Sequence, residues 1–177
     1  MYKSALGFIC AAVCLISESA RCEVVKLYDG DSVTVGDEWQ LKKASEDLPD
    51  KTAPIFMAGL KDGCGIRLDN AGMQKKADFK ATTAQYDDYL NQLLATAGLK
   101  VKSAEKSAET RVAGFRALVK DYKLDIQGSE WGARVVQFNS ENHLYSAWTL
   151  SPSNVKETEC FEKASKVLES FESGKKR

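Results

Sequence analysis

Few residues in this chain could carry covalent catalysis. A hydrolase needs a nucleophile, a base that takes the nucleophile's proton, and a donor for the oxyanion. The single histidine, His143, could be such a base, and Cys64 could be imagined as the thiol nucleophile beside it. However, the sequence has no G-x-S-x-G element, and His143 lies in or beside a predicted hairpin turn, where we expect a surface side chain. We therefore predict no catalytic residue and a protein that is not an enzyme, with an unusual hydrolase as the remaining catalytic alternative.

Metal and cofactor sites are not indicated by the spacing of the ligand-type residues. Asp29 and Asp31 flank Gly30, but the later oxygen ligands and the glycine position of a calcium loop are missing, so we expect two turn residues. One histidine and scattered cysteines give no zinc spacing. No glycine-rich loop precedes a helix in the way that phosphate binding requires. We predict no metal and no cofactor.

The first residues have the layout of a secretory signal peptide. Lys3 precedes an apolar run from Ala5 to Ile16, which is too short to span a membrane that needs about 20 apolar residues. We predict a signal peptide over residues 1–19, with cleavage after Ser19 or a few residues away, and one domain over residues 20–177. The mature protein is then periplasmic or secreted and has no stable membrane span.

Three cysteines remain after removal of the signal peptide. They are Cys22, Cys64 and Cys160, an odd number in an oxidising compartment. We predict a disulfide between Cys64 and Cys160, which would close a long loop and contribute about 4 kcal/mol. Cys22 could replace either partner, because connectivity cannot be read from spacing. Lipidation of Cys22 also stays open, although Arg21 is a poor residue to precede a modified cysteine.

The charge pattern argues against nucleic acid as a partner. Lys and Arg number 25 and Asp and Glu number 25, and the two signs are interspersed along the chain. Binding to phosphates needs a concentrated basic face. The sequence therefore predicts no interaction with nucleic acid.

The periodicity of apolar residues predicts an α+β fold. A stripe from Tyr86 to Ala97 indicates an amphipathic helix capped by Thr82 or Thr83 and ended by Gly98. A second helix follows Pro152, with Ser153 or Asn154 as its cap, an apolar face from Cys160 to Phe171, and Gly174 at its end.

The strands are predicted from alternation and turn residues. They are an opening strand or hairpin in residues 23–39 around Asp29-Gly30, a hairpin of residues 55–60 and 65–68, and a meander of residues 115–126, 131–138 and 144–150. The polar stretch 70–81 is expected to be a loop, and the doubled tetrapeptide of residues 102–109 an exposed connection or edge strand. The result is a single-domain layered sandwich: a mostly antiparallel sheet of about six strands with two amphipathic helices.

Five segments of this pattern resemble the PsbP/DcrB-like family of extracytoplasmic α/β/α sandwiches. They are SVTVGDEW, YDDYLNQLLATAG, the strand entered through Val112-Ala-Gly-Phe115, the hairpin WGARVVQFNSENHLYSAWTL, and the closing helix that ends in LESF. Members of this family act as accessory, assembly or adaptor proteins that bind other proteins, and some relatives are chaperones for secreted toxins. The resemblance implies a non-catalytic role without specifying a partner.

Two functional hypotheses remain. The first is an exported protein that binds another envelope or secreted protein, as an accessory factor, an adaptor or a toxin-protective partner. Trp131 and Tyr145 are the candidate aromatic contacts, although aromatic residues of this kind are more often core or half-buried sheet residues. Trp131 begins a strand after polar residues and is the better candidate for exposure. The alternative is a carrier of a small apolar or lipid-like ligand, which would need a cavity of a few hundred cubic ångströms between sheet and helix.

Overall fold

The computed structural model describes residues 22–43, 55–73, 88, 100–140 and 143–174. The strands in these ranges are β1 (Glu23–Lys26), β2 (Ser32–Val35), β3 (Gln40–Lys43), β4 (Phe56–Gly59), β5 (Gly65–Met73), β6 (Lys100–Ala104), β7 (Ala108–Val112), β8 (Phe115–Ile126), β9 (Ser129–Asn139) and β10 (His143–Ser151). A 3-10 turn (Tyr28–Gly30) separates β1 from β2, and the main helix is α1 (Glu157–Glu169).

Eight strands form one antiparallel sheet in the order β3-β4-β5-β10-β9-β8-β6, with β7 also paired to β8. β1 and β2 form a separate two-stranded sheet. The predicted meander is confirmed, since β8, β9 and β10 pair in succession and cover the three predicted segments. The α+β class and the mostly antiparallel sheet are confirmed with it.

The hairpin predicted around Asp62-Gly63 joins β4 to β5. Gly63 adopts a φ of 95°, a left-handed conformation that glycine reaches without a Cβ clash. Oδ1 of Asp62 accepts a hydrogen bond of 3.0 Å from the amide of Cys64. Both residues therefore fix the turn that carries Cys64 into the core.

The apolar face predicted for the last helix is buried against the sheet. Cys160, Phe161 and Leu168 are among the buried residues of α1. The ends of the helix differ from the prediction: Lys156 occupies the N-cap without a side-chain hydrogen bond, and Ser170 is the C-cap. The capping prediction was wrong because residues 153–155 form a turn of their own, in which the amide of Val155 donates to the carbonyl of Pro152.

The predicted disulfide between Cys64 and Cys160 is present and joins the β4–β5 hairpin to α1. Cys64 is fully buried, and Cys160 is buried as well. Cys22 is the free and exposed cysteine of the described part of the chain.

The β1–β2 hairpin is attached to the residues that follow α1. The hydroxyl of Ser170 accepts a hydrogen bond of 2.7 Å from the amide of Thr34. The backbones of Ser32 and Glu172 exchange two hydrogen bonds of 2.9 Å each. The hairpin and the end of the chain therefore stabilise each other.

The sheet has a different apolar cluster on each side. Val136 and Phe138 belong to the larger cluster, which includes the buried face of α1. Val135 and Trp148 belong to a smaller cluster. Because successive side chains of a strand point to opposite faces, the two clusters lie on opposite sides of β9 and β10.

The strand count of the prediction was too low. The described residues hold ten strands instead of about six. β3 was missed because it contains one apolar residue, Leu41, and β5 extends to Met73 where a loop was expected from residue 70. The doubled tetrapeptide of residues 102–109 lies in β6, in β7 and in the connection between them. Both strands pair with β8 at the edge of the sheet, which agrees with the expectation of an edge strand.

Two predictions lie outside the described residues. They are the signal peptide over residues 1–19 and, apart from the helical residue Asp88, the amphipathic helix over residues 82–98. Of the two predicted helices, only the last one can therefore be compared with the structure, where it corresponds to α1.

Candidate functional site

The structure buries the single histidine. His143 is only 4% exposed, and its Nε2 lies 2.9 Å from Oδ2 of Asp29. The ring of Tyr28 stacks on it with 5.3 Å between centroids. The expectation of a surface histidine was wrong because the 3-10 turn between β1 and β2 folds over the start of β10.

Asp31 and Tyr145 form a second buried pair next to this histidine. Asp31 accepts hydrogen bonds of 2.9 Å from the Tyr145 hydroxyl and from the amide of Gly174. Burial, with the hydrogen bond to Asp31, raises the pKa of Tyr145 far above its usual value of 10.0. Tyr145 has no exposed surface, so its assignment as a partner contact is corrected to a core residue.

These side chains connect distant segments of the fold. The thiol that the sequence could have supplied to His143 is absent, because Cys64 is bonded to Cys160. Asp31 accepts hydrogen bonds from two different segments and does not contact a nucleophile. The described residues contain no group of three or more His, Cys, Asp or Glu side chains that could hold a metal ion.

Trp131 is half-buried at the start of β9. It packs against the smaller apolar cluster, which contains Tyr122 and Trp148. The residue is partly accessible, and its role as a partner contact remains a prediction.

A different site is formed where α1 leaves part of the sheet uncovered. This groove has a volume of about 220 Å³ and lies between β7, β8, β9 and α1. Its apolar lining includes Val112, Val119, Val136 and Leu168. We call it the β7–α1 groove; its polar walls are provided by β7, β9 and α1.

Arg134 is the fixed charge of the groove. Its Nε and Nη2 donate hydrogen bonds of 2.7 Å to the two carboxylate oxygens of Asp121, and its guanidinium lies 4.5 Å from the ring centroid of Phe161. The hydrogen bond to Asp121 raises the pKa of Arg134. Arg134 is therefore held in place with its charge neutralised by Asp121.

Glu169, near the end of α1, is a further charged residue of the groove and has no ion-pair partner among the described residues. Arg111, on β7, donates a hydrogen bond of 2.8 Å to the carbonyl of Gly114 in the following turn. Arg111 pairs with Arg116 across the β7–β8 hairpin, whereas Val112 pairs with Phe115. Because successive side chains of a strand alternate between faces, the side chain of Arg111 lies on the opposite face of β7 from Val112. A ligand in the groove therefore meets Glu169 and the neutralised Arg134.

The sequence analysis missed this groove because its residues come from three successive strands and from the later helix α1, and no local pattern shows that the helix packs beside them. One signal could have indicated it. Arg134, Val136 and Phe138 are alternate residues of β9, so their side chains lie on the same face of the strand. Arg134 therefore places a positive charge on a face that is otherwise apolar. Such a residue needs a partner or solvent, and here Asp121 and the open groove provide them.

No helix in the described ranges is long and apolar enough to cross a membrane.

Sequence comparison finds no relative of this chain: no family model matches it, and no curated protein matches it. Structural comparison does find similar proteins. The solution structure of cyanobacterial PsbP from Synechocystis has a TM-score of 0.56 and 12% identity, with 92% of this chain and 98% of that chain covered.

Two other solved structures are similar over most of their length. LpqN of Mycobacterium tuberculosis, described as involved in cell envelope biogenesis, has a TM-score of 0.53 and 13% identity, with 86% of this chain and 90% of LpqN covered. The Ran-binding protein Mog1p of Saccharomyces cerevisiae has a TM-score of 0.52 and 12% identity, with 88% and 96% covered. The chain also spans 46% of the length of a Bacteroides thetaiotaomicron protein. The chain thus has the fold shared by PsbP, LpqN and Mog1p, and the predicted resemblance is confirmed at the level of the fold.

Proposed function

We propose that this chain, which has the fold of PsbP and LpqN, is an exported, non-catalytic protein that binds another envelope or secreted protein. Its role would be that of an accessory factor, an adaptor or a toxin-protective partner. The disulfide between Cys64 and Cys160 supports an oxidising compartment. The fold supports a binding role, since one protein that shares it is a Ran-binding protein.

The size of the β7–α1 groove is the observation that carries this proposal. A pocket that encloses a small molecule usually has about 300–1,000 Å³, whereas this groove has about 220 Å³ and is open to solvent. A lipid-like ligand would keep most of its surface in water there. One side chain projecting from a folded partner fits such a volume, and buried anchors of this kind dominate many protein interfaces.

The surroundings of the groove also suit a protein partner. The rim carries polar and charged residues of β7 and α1, including Thr110 and Ser165, around an apolar floor. Protein interfaces commonly have this arrangement of an apolar centre and a polar rim.

The experiment that tests the proposal is photo-crosslinking in cells that export the full chain. A photoreactive phenylalanine analogue replaces Glu169, an exposed residue that lines the groove and already has a long side chain, or Lys166, an exposed residue of α1 outside the groove lining, as the control. We expect one protein adduct from position 169 and a much weaker adduct from position 166, with the partner identified by mass spectrometry.

The other outcomes overturn the proposal. Equal adducts at positions 169 and 166, or no adduct at 169, would contradict binding at the groove. A lipid-sized mass increase at position 169 without a protein adduct would favour the carrier alternative.

A further inference from the structure

We infer that a second copy of this chain pairs with the outer edge of β6, so that two protomers form one continuous antiparallel sheet around a two-fold axis at Ser103. The occupant of the edge is β6 of the second protomer, running in the opposite direction. This surface is separate from the β7–α1 groove, and the inference does not depend on the proposed function.

The strand β6 is an end strand of the eight-stranded sheet. It pairs with β8 on one side, and among the described residues no strand pairs with its other side. All residues of Lys100–Ala104 are exposed, and Val101 is 42% exposed. The backbone N–H and C=O groups along an open edge of this kind can pair with a further strand.

The pairing of β6 with β8 shows which residues lie at equal distances from Ser103. Lys100, Ser103 and Glu105 lie opposite positions 125, 123 and 121 of β8. Lys100 and Glu105 are therefore two positions away from Ser103, in opposite directions along the edge. Because they oppose alternate residues of β8, they also lie on the same face of the sheet.

A two-fold axis perpendicular to the sheet at Ser103 makes these residues complementary. In an antiparallel pair centred there, Lys100 of each protomer lies opposite Glu105 of the other. The salt bridges of the described residues include neither side chain, and cross-strand pairs of opposite charge stabilise a sheet. Val101 and Ala104, at positions 124 and 122 of β8, meet in the same way on the other face. The edge therefore fits a copy of itself.

Lys102 does not oppose this contact. It has no paired residue on β8, because the register shifts between Val101 and Ser103. Its Nζ lies 3.4 Å from Oε2 of Glu130 on β9, so its charge is directed across the sheet and away from the edge. Lysines protect edge strands from pairing, but in this register Lys102 is neutralised and Lys100 faces a glutamate.

The first test is sedimentation equilibrium of the full mature protein from micromolar to submillimolar concentrations. One pair of short strands forms a small contact compared with the roughly 1,200–2,000 Å² of stable complexes, so we expect monomer and dimer in equilibrium. The compared chains are the wild type, Lys100→Glu, Glu105→Lys, the exchange Lys100→Glu/Glu105→Lys, and Lys166→Glu on α1 as the control for net charge.

Each single reversal turns both symmetric pairs from attraction to repulsion, and we expect it to weaken dimerisation by about tenfold. The exchange variant should dimerise as the wild type does, because opposite charges face each other again. Lys166→Glu should have no effect. This recovery would not occur if the single substitutions acted by disturbing the fold.

A disulfide tests the position of the axis. Residues directly opposite each other in an antiparallel pair have Cα atoms about 4.5–5.5 Å apart, a distance that a disulfide spans. Ser103→Cys in a Cys22→Ser background should therefore form a covalent dimer on air oxidation of the purified chain. Ser107→Cys in the same background is the matched control, since Ser107 is the equivalent exposed serine of the doubled tetrapeptide and lies off the axis.

Three results would overturn the inference. A wild type that stays monomeric over the whole range would show that the edge is not an interface between copies, whichever other strand covers it. Unchanged dimerisation of Lys100→Glu would exclude the pairing with Glu105. Equal covalent dimers from positions 103 and 107 would exclude the axis at Ser103.

Discussion

The hydroxyl of Tyr145 donates a hydrogen bond of 2.9 Å to Oδ2 of Asp31, which lies 114 positions earlier in the chain. The bond joins the buried strand β10 to the loop before β2. Oδ1 of Asp31 accepts a second hydrogen bond from Gly174. Asp31 therefore connects the beginning, the middle and the end of the described chain.

Replacing Tyr145 by Phe should lower the free energy of unfolding by about 1–3 kcal/mol, because Asp31 would remain buried with one hydrogen-bond donor fewer. Urea unfolding followed by tryptophan fluorescence measures the change. Tyr28→Phe is the control, since Tyr28 is 44% exposed, and should change stability by less than about 0.5 kcal/mol. Equal effects of the two substitutions would contradict the role assigned to the hydrogen bond.

The disulfide gives a second prediction. Cys64 and Cys160 are 96 positions apart, and a cross-link that closes a loop of about 100 residues is expected to stabilise the fold by about 4.7 kcal/mol in the chain-entropy description. The double variant Cys64→Ser/Cys160→Ser should lose stability of this order in urea unfolding. Cys22→Ser should not change it. A double variant as stable as the wild type would show that the bond contributes little.

Gly174 provides a test of how the end of the chain docks. A Cβ on this residue would overlap the backbone of Asp29 and Gly30, and backbone atoms cannot move aside as a flexible side chain can. Gly174→Ala should therefore cost about 1–3 kcal/mol. Gly59→Ala is the control, because its Cβ would lie 3.9 Å from the carbonyl oxygen of Cys64. Thermal unfolding of both variants measures the two effects. A Gly174→Ala protein as stable as Gly59→Ala would contradict the close packing of Gly174 against the backbone of Asp29 and Gly30.

The raised pKa of Asp69 leads us to expect that the stability of the protein depends on pH. Burial raises the pKa of Asp69 above 3.8, although Arg67 acts in the opposite direction through hydrogen bonds of 2.9 Å. Between the unfolded and the raised folded pKa, the folded protein binds more protons than the unfolded chain. The contribution of Asp69 to the free energy of unfolding must therefore decrease as pH rises through that window.

The measurement for Asp69 is urea unfolding at a series of pH values from 3 to 7. Asp69→Asn should lack the decrease that the wild type shows over this window, whereas the exposed Asp37→Asn should keep it. If the wild type gains stability relative to Asp69→Asn as pH rises, the sign of the shift is wrong.

The parts of the fold that were predictable depend on local signals. The Asp62-Gly63 turn and the alternation of apolar residues along β8 and β9 are signals that span only a few residues. Both predicted hairpins are present in the structure. Gly174 illustrates the limit, because it was assigned to the helix end although it lies beyond the C-cap Ser170. Its neighbours in space, Asp29 and Asp31, are more than 140 positions away, and no local pattern contains that information.

The candidate site was less accessible to sequence reasoning than the fold. Thr110 and Ser165 stand in sequences that are ordinary for exposed positions, and they come to line one groove only because the fold brings β7 and α1 together. His143 was misplaced for the same reason, since the turn that covers it belongs to the distant β1–β2 connection. Tertiary packing, which composition and periodicity do not encode locally, decides both cases.

The measurement that tests the central claim most directly is the affinity of the crosslink-identified partner for the wild type, Ser165→Trp and Lys166→Trp, by isothermal titration calorimetry. Both tryptophans are placed on α1, but only position 165 lines the groove. We predict that Ser165→Trp weakens binding by about tenfold or more, because the space for the partner's anchor is filled, and that Lys166→Trp binds as the wild type does. Equal affinities of all three proteins would contradict binding at the β7–α1 groove.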